Sequence, residues 1–191
     1  MGDAGADAGV RERLLAAASD LFYREGVHRV TLERVIEVSG VAPHEVQAAF
    51  GGKDELVRAY LRARHTRTRQ RIENGLKRFG SARQRLIGVF ALQGESFGEP
   101  GFRGCAFVTA SAEAWPGEVV EDVAREYRDW LHNLFFGLAY EARARHPERL
   151  AQQLVVLYDG GAISAWMDHR PDTAAATTAV ATALIDNALA G

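Results

Sequence analysis

Two short helices, each stopped by glycine, constrain this chain more than any other feature. Thr31 has the side chain of an N-cap, and Glu33 suits the first turn of the helix that it starts. Leu32, Val35 and Ile36 face inward, and Ser39-Gly40 breaks the chain, with Gly40 free to turn left-handed. Pro43 sits where the first turn of the next helix begins, and Phe50-Gly51-Gly52 closes it. A longer helix, about 10–25, precedes the pair. Its Leu14, Ala18, Leu21 and Phe22 form one apolar stripe, and Gly26 ends it. Two short helices around a glycine-containing turn are the signature of a helix-turn-helix, whose second short helix, here about 42–50, enters the DNA major groove. Packing Leu32, Val35, Ile36, Val41, Val46 and Phe50 against the first helix leaves His44, Glu45, Gln47 and Ala48 outward. The same spacing fits any small three-helix bundle, so spacing alone leaves both readings open.

The rest of the chain also reads as helix, with no alternating stretch of strand length. Residues 53–79 carry Asp54 and Glu55 in the first turn and Lys77 and Arg78 in the last, matching the helix dipole. Ser81 caps a helix that reaches about 97, Gly98-Glu99-Pro100-Gly101 is a loop, and a short helix covers about 105–112. Helices at about 118–145, 147–168 and 173–190 follow, punctuated by Pro116-Gly117, Pro147 and Pro171-Asp172. The expected fold class is all-α, about nine helices: a three-helix head over residues 1–52 and a helical body over 53–191, to which the family resemblance described next assigns effector binding and dimerisation. Residues 1–9 lack a basic leading region and read as a frayed tail.

The residues of the head sharpen this. Leu14-Leu15-Ala16-Ala17-Ala18-Ser19-Asp20-Leu21-Phe22-Tyr23-Arg24-Glu25-Gly26 resembles the opening helix of the TetR (tetracycline-repressor) family. Val30 to Val41 resembles that family's second helix and turn, and Phe50-Gly51-Gly52-Lys53-Asp54-Glu55-Leu56 its closing signature. The resemblance implies a DNA-binding transcription regulator, with Thr31 and Lys53 contacting phosphate from helix N-termini. The recognition helix departs from the family pattern: Ala42 precedes it in place of Ser or Thr, Pro43 follows, and Gln47 stands in place of a Tyr. The expected DNA-contacting set is Thr31, Arg34, Pro43, His44, Glu45, Gln47 and Lys53. Gln47 suits adenine, His44 a phosphate or guanine, and Glu45 cytosine N4. Residues 1–56 hold six basic and ten acidic side chains, so the head carries about -4, against -2 for the chain. Phosphate contacts supply much of DNA affinity, so this charge argues for weak binding.

The body is rich in aromatics. The candidates for an apolar effector cavity between helices are Phe90, Cys105, Phe107, Trp115, Tyr127, Trp130, Leu131 and Tyr158. By resemblance the effector is a small hydrophobic or amphipathic molecule. The last two helices are expected to make a homodimer through Leu150, Leu154, Leu157, Ile163, Val180 and Leu184, presenting two heads about one DNA turn apart or more to a palindromic double-stranded operator.

No nucleophile–base grouping or phosphate loop is present, so no enzymatic role is expected. The six histidines are scattered, so no metal or cofactor is expected. Cys105 is the lone cysteine, which fits a reducing cytoplasm, and no run approaches the roughly 18 apolar residues of a membrane span. The expected function is repression relieved when ligand moves the long fourth helix as a lever. The alternative is a helical small-molecule-binding or scaffold dimer whose head has a weakened grip on DNA.

Overall fold

The computed structural model describes residues 3–170 and 172–190. Pro171, expected to punctuate the last two helices, lies outside the described residues, as do Met1 and Gly2. Among the described residues nine α-helices follow one another without a strand: α1 Asp3–Glu25, α2 Leu32–Ser39, α3 Pro43–Phe50, α4 Lys53–Leu76, α5 Ala82–Phe97, α6 Ala106–Glu113, α7 Val119–Glu141, α8 Pro147–Asp168 and α9 Thr173–Leu189. The all-helical class and the helix order expected from the sequence are both present.

Local chemistry sets most boundaries. Thr31 Oγ1 accepts the Arg34 N–H at 3.3 Å and so caps α2. Gly40 closes that helix with φ 65°, its N–H donating to the Ile36 carbonyl at 3.0 Å. Gly51 closes α3 in the same way, with φ 72°. Ser81 and Gln84 cap the start of α5 reciprocally.

Three boundaries differ from expectation. Helix α1 begins at Asp3, well before the expected start near Val10. Alanine, the best helix former, carries the helix through a stretch expected to fray. Helix α4 stops at Leu76 because Lys77, Arg78 and Phe79 donate to carbonyls three residues back, tightening the last turn. Helix α7 stops at Glu141 rather than near Arg145. Arg143 turns left-handed (φ 59°), and the Ala144 N–H bonds to the Ala139 carbonyl at 3.0 Å.

The chain forms two compact units. The first takes residues up to His65 together with Ala106–Arg125, and the second takes Thr66–Cys105 and the chain from Glu126 onward. In the first, Leu14, Leu21, Phe22, Val35, Val46, Leu56, Tyr60 and Leu61 are buried as one core. Removing each large apolar side chain from water contributes about 1.5–3 kcal/mol. The Arg11 guanidinium stacks over Phe50 at 4.2 Å and donates to the Ala49 carbonyl, fixing the end of α3 to α1.

In the second unit, α9 packs against α5 and α8. Glycines allow the close approach: a Cβ at Gly94 would lie 2.8 Å from Ala174 Cβ, and one at Gly161 2.8 Å from Thr177 Cγ2. Leu86, Phe90, Leu131, Phe135, Leu150, Leu154 and Ile185 fill this core. No helix among the described residues is long and apolar enough to cross a membrane.

Candidate functional site

In the first unit α1, α2 and α3 assemble the expected helix-turn-helix. Val35, Val46, Ala49 and Phe50 turn inward, which leaves Pro43, His44, Gln47 and Ala48 exposed on the outer face of α3. Side chains on one face of a helix recur every three or four residues, and His44, Gln47 and Ala48 have that spacing. They present a ring nitrogen, an amide and a methyl to the outside, a set able to read base edges.

Glu45 has a different position from the one expected. Its carboxylate accepts the Ala42 N–H at 2.9 Å and caps the start of α3, and the residue is half-buried. Ala42 has no side-chain acceptor, so only the acid's half of the reciprocal cap forms. Glu45 is thereby turned toward the backbone rather than toward a base. The sequence offered this signal, since an acid at the third helical position is half of a capping box.

The two cations of the expected DNA-contacting set, Arg34 and Lys53, are tied to local partners. Arg34 donates to Glu37 at 2.6 Å, and that carboxylate holds the guanidinium pKa above its usual value. Thr31 is exposed at the start of α2. Its hydroxyl joins the Glu33 backbone N–H in holding the Glu33 carboxyl below its ordinary range, and the nearby Lys53 adds to the effect. Lys53, the first residue of α4, donates through Nζ to the His28 carbonyl at 3.3 Å. Thr31 and Lys53 each lie at a helix N-terminus, where free amides favour anions.

The candidate effector residues divide between the units. Phe90, Tyr127, Leu131 and Tyr158 are buried in the second unit, and Trp130 is half-buried there. Phe90 stacks on Phe135 at 5.5 Å, and Tyr158 meets both rings edge-on at 6.2 Å. The Tyr127 and Trp130 rings lie 5.8 Å apart. Burial pushes the Tyr158 hydroxyl pKa up to about 12 and raises that of Tyr127 well above its usual value, and the two hydroxyls are hydrogen-bonded to each other. Cys105, half-buried, is near enough to act electrostatically on both.

Gln93, absent from the expected set, is 3% exposed. Its Nε2 donates to the Tyr158 carbonyl at 2.7 Å, and its Oε1 has no partner among the described residues. A polar residue at an inward position of α5 was the signal for it.

Two candidates lie elsewhere. Phe107 is buried in the first unit, edge-on to His65 at 6.4 Å. Trp115 is 72% exposed, in the turn between α6 and α7, and cannot line an interior cavity there. Pro116 and Gly117 form the turn that follows it. A cleft of about 500 Å3 opens in the second unit among Phe97, Phe102, Ala165, His169, Arg170 and Ala174. None of the eight expected residues lines it.

Helix α8 has two apolar rows. Leu150 and Leu154, expected at a dimer interface, are buried in the chain's own core and are withdrawn from that role. Both rows are apolar and share the helical period, so the pattern does not say which one faces out. The outward row is Val156, Gly160, Ile163 and Met167, with Val156 71% and Met167 68% exposed. Helix α9 presents Ala176, Val180 and Ala183 in the same way, while Leu157 and Leu184 are half-buried.

A helix-turn-helix with a polar outer face on its second short helix, in an otherwise all-helical chain, defines a DNA-binding transcription regulator. Residues 14–60 match the family described as bacterial regulatory proteins, tetR family. A tetR-type transcriptional regulator from Streptomyces avermitilis is 30% identical, with a TM-score of 0.82 over 94% of this chain and 97% of that one. A TetR-family transcriptional regulator from Streptomyces coelicolor, 25% identical, matches with a TM-score of 0.89 over 95% of this chain and 97% of that one. The HTH-type transcriptional regulator BetI of Brucella anthropi is 26% identical over 183 residues, 94% of this chain and 91% of that protein. The chain belongs to the TetR family of transcriptional regulators.

Proposed function

We propose that this regulator is a repressor. It binds a palindromic double-stranded DNA operator as a homodimer and leaves it when a small hydrophobic or amphipathic effector enters the helical body. The observation that carries the DNA half is the outer face of α3, where Pro43, His44, Gln47 and Ala48 stand exposed on a helix anchored from behind by Val46 and Phe50. Phosphate contacts come from Thr31, Arg34 and Lys53. The turn of Glu45 toward its own helix start removes one charge from the reading surface of an otherwise acidic head.

The division of labour falls near residue 52, with DNA reading before it and effector binding and dimerisation after it. The outward rows of α8 and α9 supply the dimer contact: Val156, Gly160, Ile163 and Met167 on one helix, Ala176, Val180 and Ala183 on the other. Effector contacts come from the Phe90, Tyr127, Trp130, Leu131 and Tyr158 cluster with Cys105 beside it. Helix α4 gives residues to both compact units and serves as the lever between effector and head. An effector shifts the equilibrium only if it binds the DNA-free form more tightly. The reading places the protein in the cytoplasm, on DNA, with no catalytic role.

Fluorescence anisotropy of the purified protein on DNA upstream of its own gene, at two salt concentrations and against a random duplex, tests this. Tight, salt-sensitive binding to one palindrome is expected. Equal, weak binding to both duplexes would instead favour the second reading, a ligand-binding helical dimer with a weakened head. The head charge of about -4 is the observation on that side.

A further inference from the structure

The turn between α1 and α2 is held by carboxylates far away in sequence but within the same compact unit. Glu113, the last residue of α6, accepts the His28 backbone N–H at 3.1 Å. Glu118, just before α7, lies 3.1 Å from His28 Nε2 and accepts the Trp115 N–H at 3.1 Å, which fixes its own orientation. Gly26 makes the approach possible. It sits at φ 95°, and a Cβ there would overlap the Glu113 carboxylate. From the other side, the His28 carbonyl accepts from Lys53 Nζ at 3.3 Å. The backbone N–H, the ring and the carbonyl of His28 are therefore each tied. The third tie is to the lysine that opens α4, and Thr31 caps α2 three residues on.

We propose that Glu113 and Glu118 are positioning residues for operator recognition. They act through His28 to set the place of Lys53 and of the α2 N-terminus on the phosphate backbone. This rests on the DNA-binding reading above. It carries a sign that electrostatics alone does not give. Deleting two negative charges from an acidic head should tighten binding to every duplex, whereas freeing this turn leaves Lys53 and the α2 N-terminus on phosphate but out of register, which costs the base contacts of α3 on the selected duplex and spares the scrambled one.

The test uses the full chain and two DNAs: the duplex that the wild-type protein selects from a randomised pool, and a scrambled version of it. Glu113→Ala/Glu118→Ala removes the acceptors, while Glu113→Gln/Glu118→Gln removes the same charge and keeps them. The alanine pair is expected to bind the selected duplex about tenfold more weakly, a loss of about 1.4 kcal/mol, with the scrambled duplex unchanged or tighter. The glutamine pair is expected to stay within about threefold of wild type on the selected duplex. Thermal midpoints measured in parallel isolate a purely structural role, which lowers the midpoint without changing the ratio of selected to scrambled affinity. If the alanine pair does not fold, His28→Ala takes its place and is expected to lower that ratio about threefold. Alanine and glutamine pairs that shift together, or an unchanged ratio in the alanine pair or in His28→Ala, would overturn the proposal. A wild-type protein that selects no duplex would refute the DNA-binding reading itself.

Discussion

Two glycines of the second unit should respond to the same substitution with opposite signs. Gly137 lies inside α7 with nothing among the described residues within 4 Å of its missing Cβ, and Gly161 lies inside α8 against Thr177. Glycine in a helix interior is about 1 kcal/mol less favourable than alanine, so Gly137→Ala should stabilise by about 0.5–1 kcal/mol. At Gly161 that same gain meets an obstacle. The new methyl would sit 2.8 Å from Thr177 Cγ2 and 3.1 Å from its Oγ1. Thr177 is buried, and its hydroxyl donates to the Thr173 carbonyl at 2.8 Å. Rotating it away costs that hydrogen bond, about 1 kcal/mol. Leaving it in place forces α8 and α9 apart, and overpacking of this kind costs about 1–3 kcal/mol. The net for Gly161→Ala is a loss of roughly 0.5–2 kcal/mol, a separation of about 2 kcal/mol between the variants. In a chain of this size each kcal/mol moves the melting midpoint by about 2–4 °C, so the midpoints should differ by about 4–8 °C. Both are measured by circular dichroism at one protein concentration, because a dimer's midpoint depends on it. Equal stabilisation of the two variants would refute the close α8–α9 contact.

Other outcomes follow from the site. Gln47→Ala should relax base preference at one operator position by about 1–3 kcal/mol, while Lys53→Ala should weaken all duplexes alike and flatten the salt dependence by about one unit. Quantitative binding to a panel of single-base operator variants separates the two. Ile163→Arg on the outward row of α8 should shift sedimentation toward monomer without lowering helix content. A dimer of undiminished affinity would remove that row from the interface. Alkaline unfolding should report Tyr158. Its folded pKa of about 12 lies above the ordinary tyrosine value of 10, so it contributes stability that is fully present below pH 10 and lost as pH rises toward 12. The upper bound is about 3 kcal/mol for two pKa units, and Tyr158→Phe should flatten the decline in denaturation curves between those pH values.

What the sequence made legible is what short-range chemistry decides. Thr31, Gly40, Gly51 and Ser81 mark helix ends through bonds to residues a few positions away, and the inward stripe of Leu14, Leu21 and Phe22 follows from the helical period. Choices between equivalent options stayed hidden. Leu154 and Val156 are both apolar, and which one faces out depends on where α5 and α9 press. Trp115 reads as core by type, yet it stands in an exposed turn with a proline and a glycine after it. Glu45 was legible as a charge but hard to see as a cap, because Ala42 lacks the hydroxyl that usually announces one. Glu113 and Glu118 gave no signal at all, since their partner lies 85 and 90 residues upstream.

That distance matters for anyone exchanging heads between regulators. A chimera joined near residue 52 would receive a new first turn while keeping the old carboxylates, and a donor with a larger residue at position 26 would collide with Glu113. A working graft should carry residues 106–125 along with the head, or match positions 26, 28, 113 and 118 as a set. The same coupling predicts that, in natural relatives, these four positions change together rather than drift one at a time.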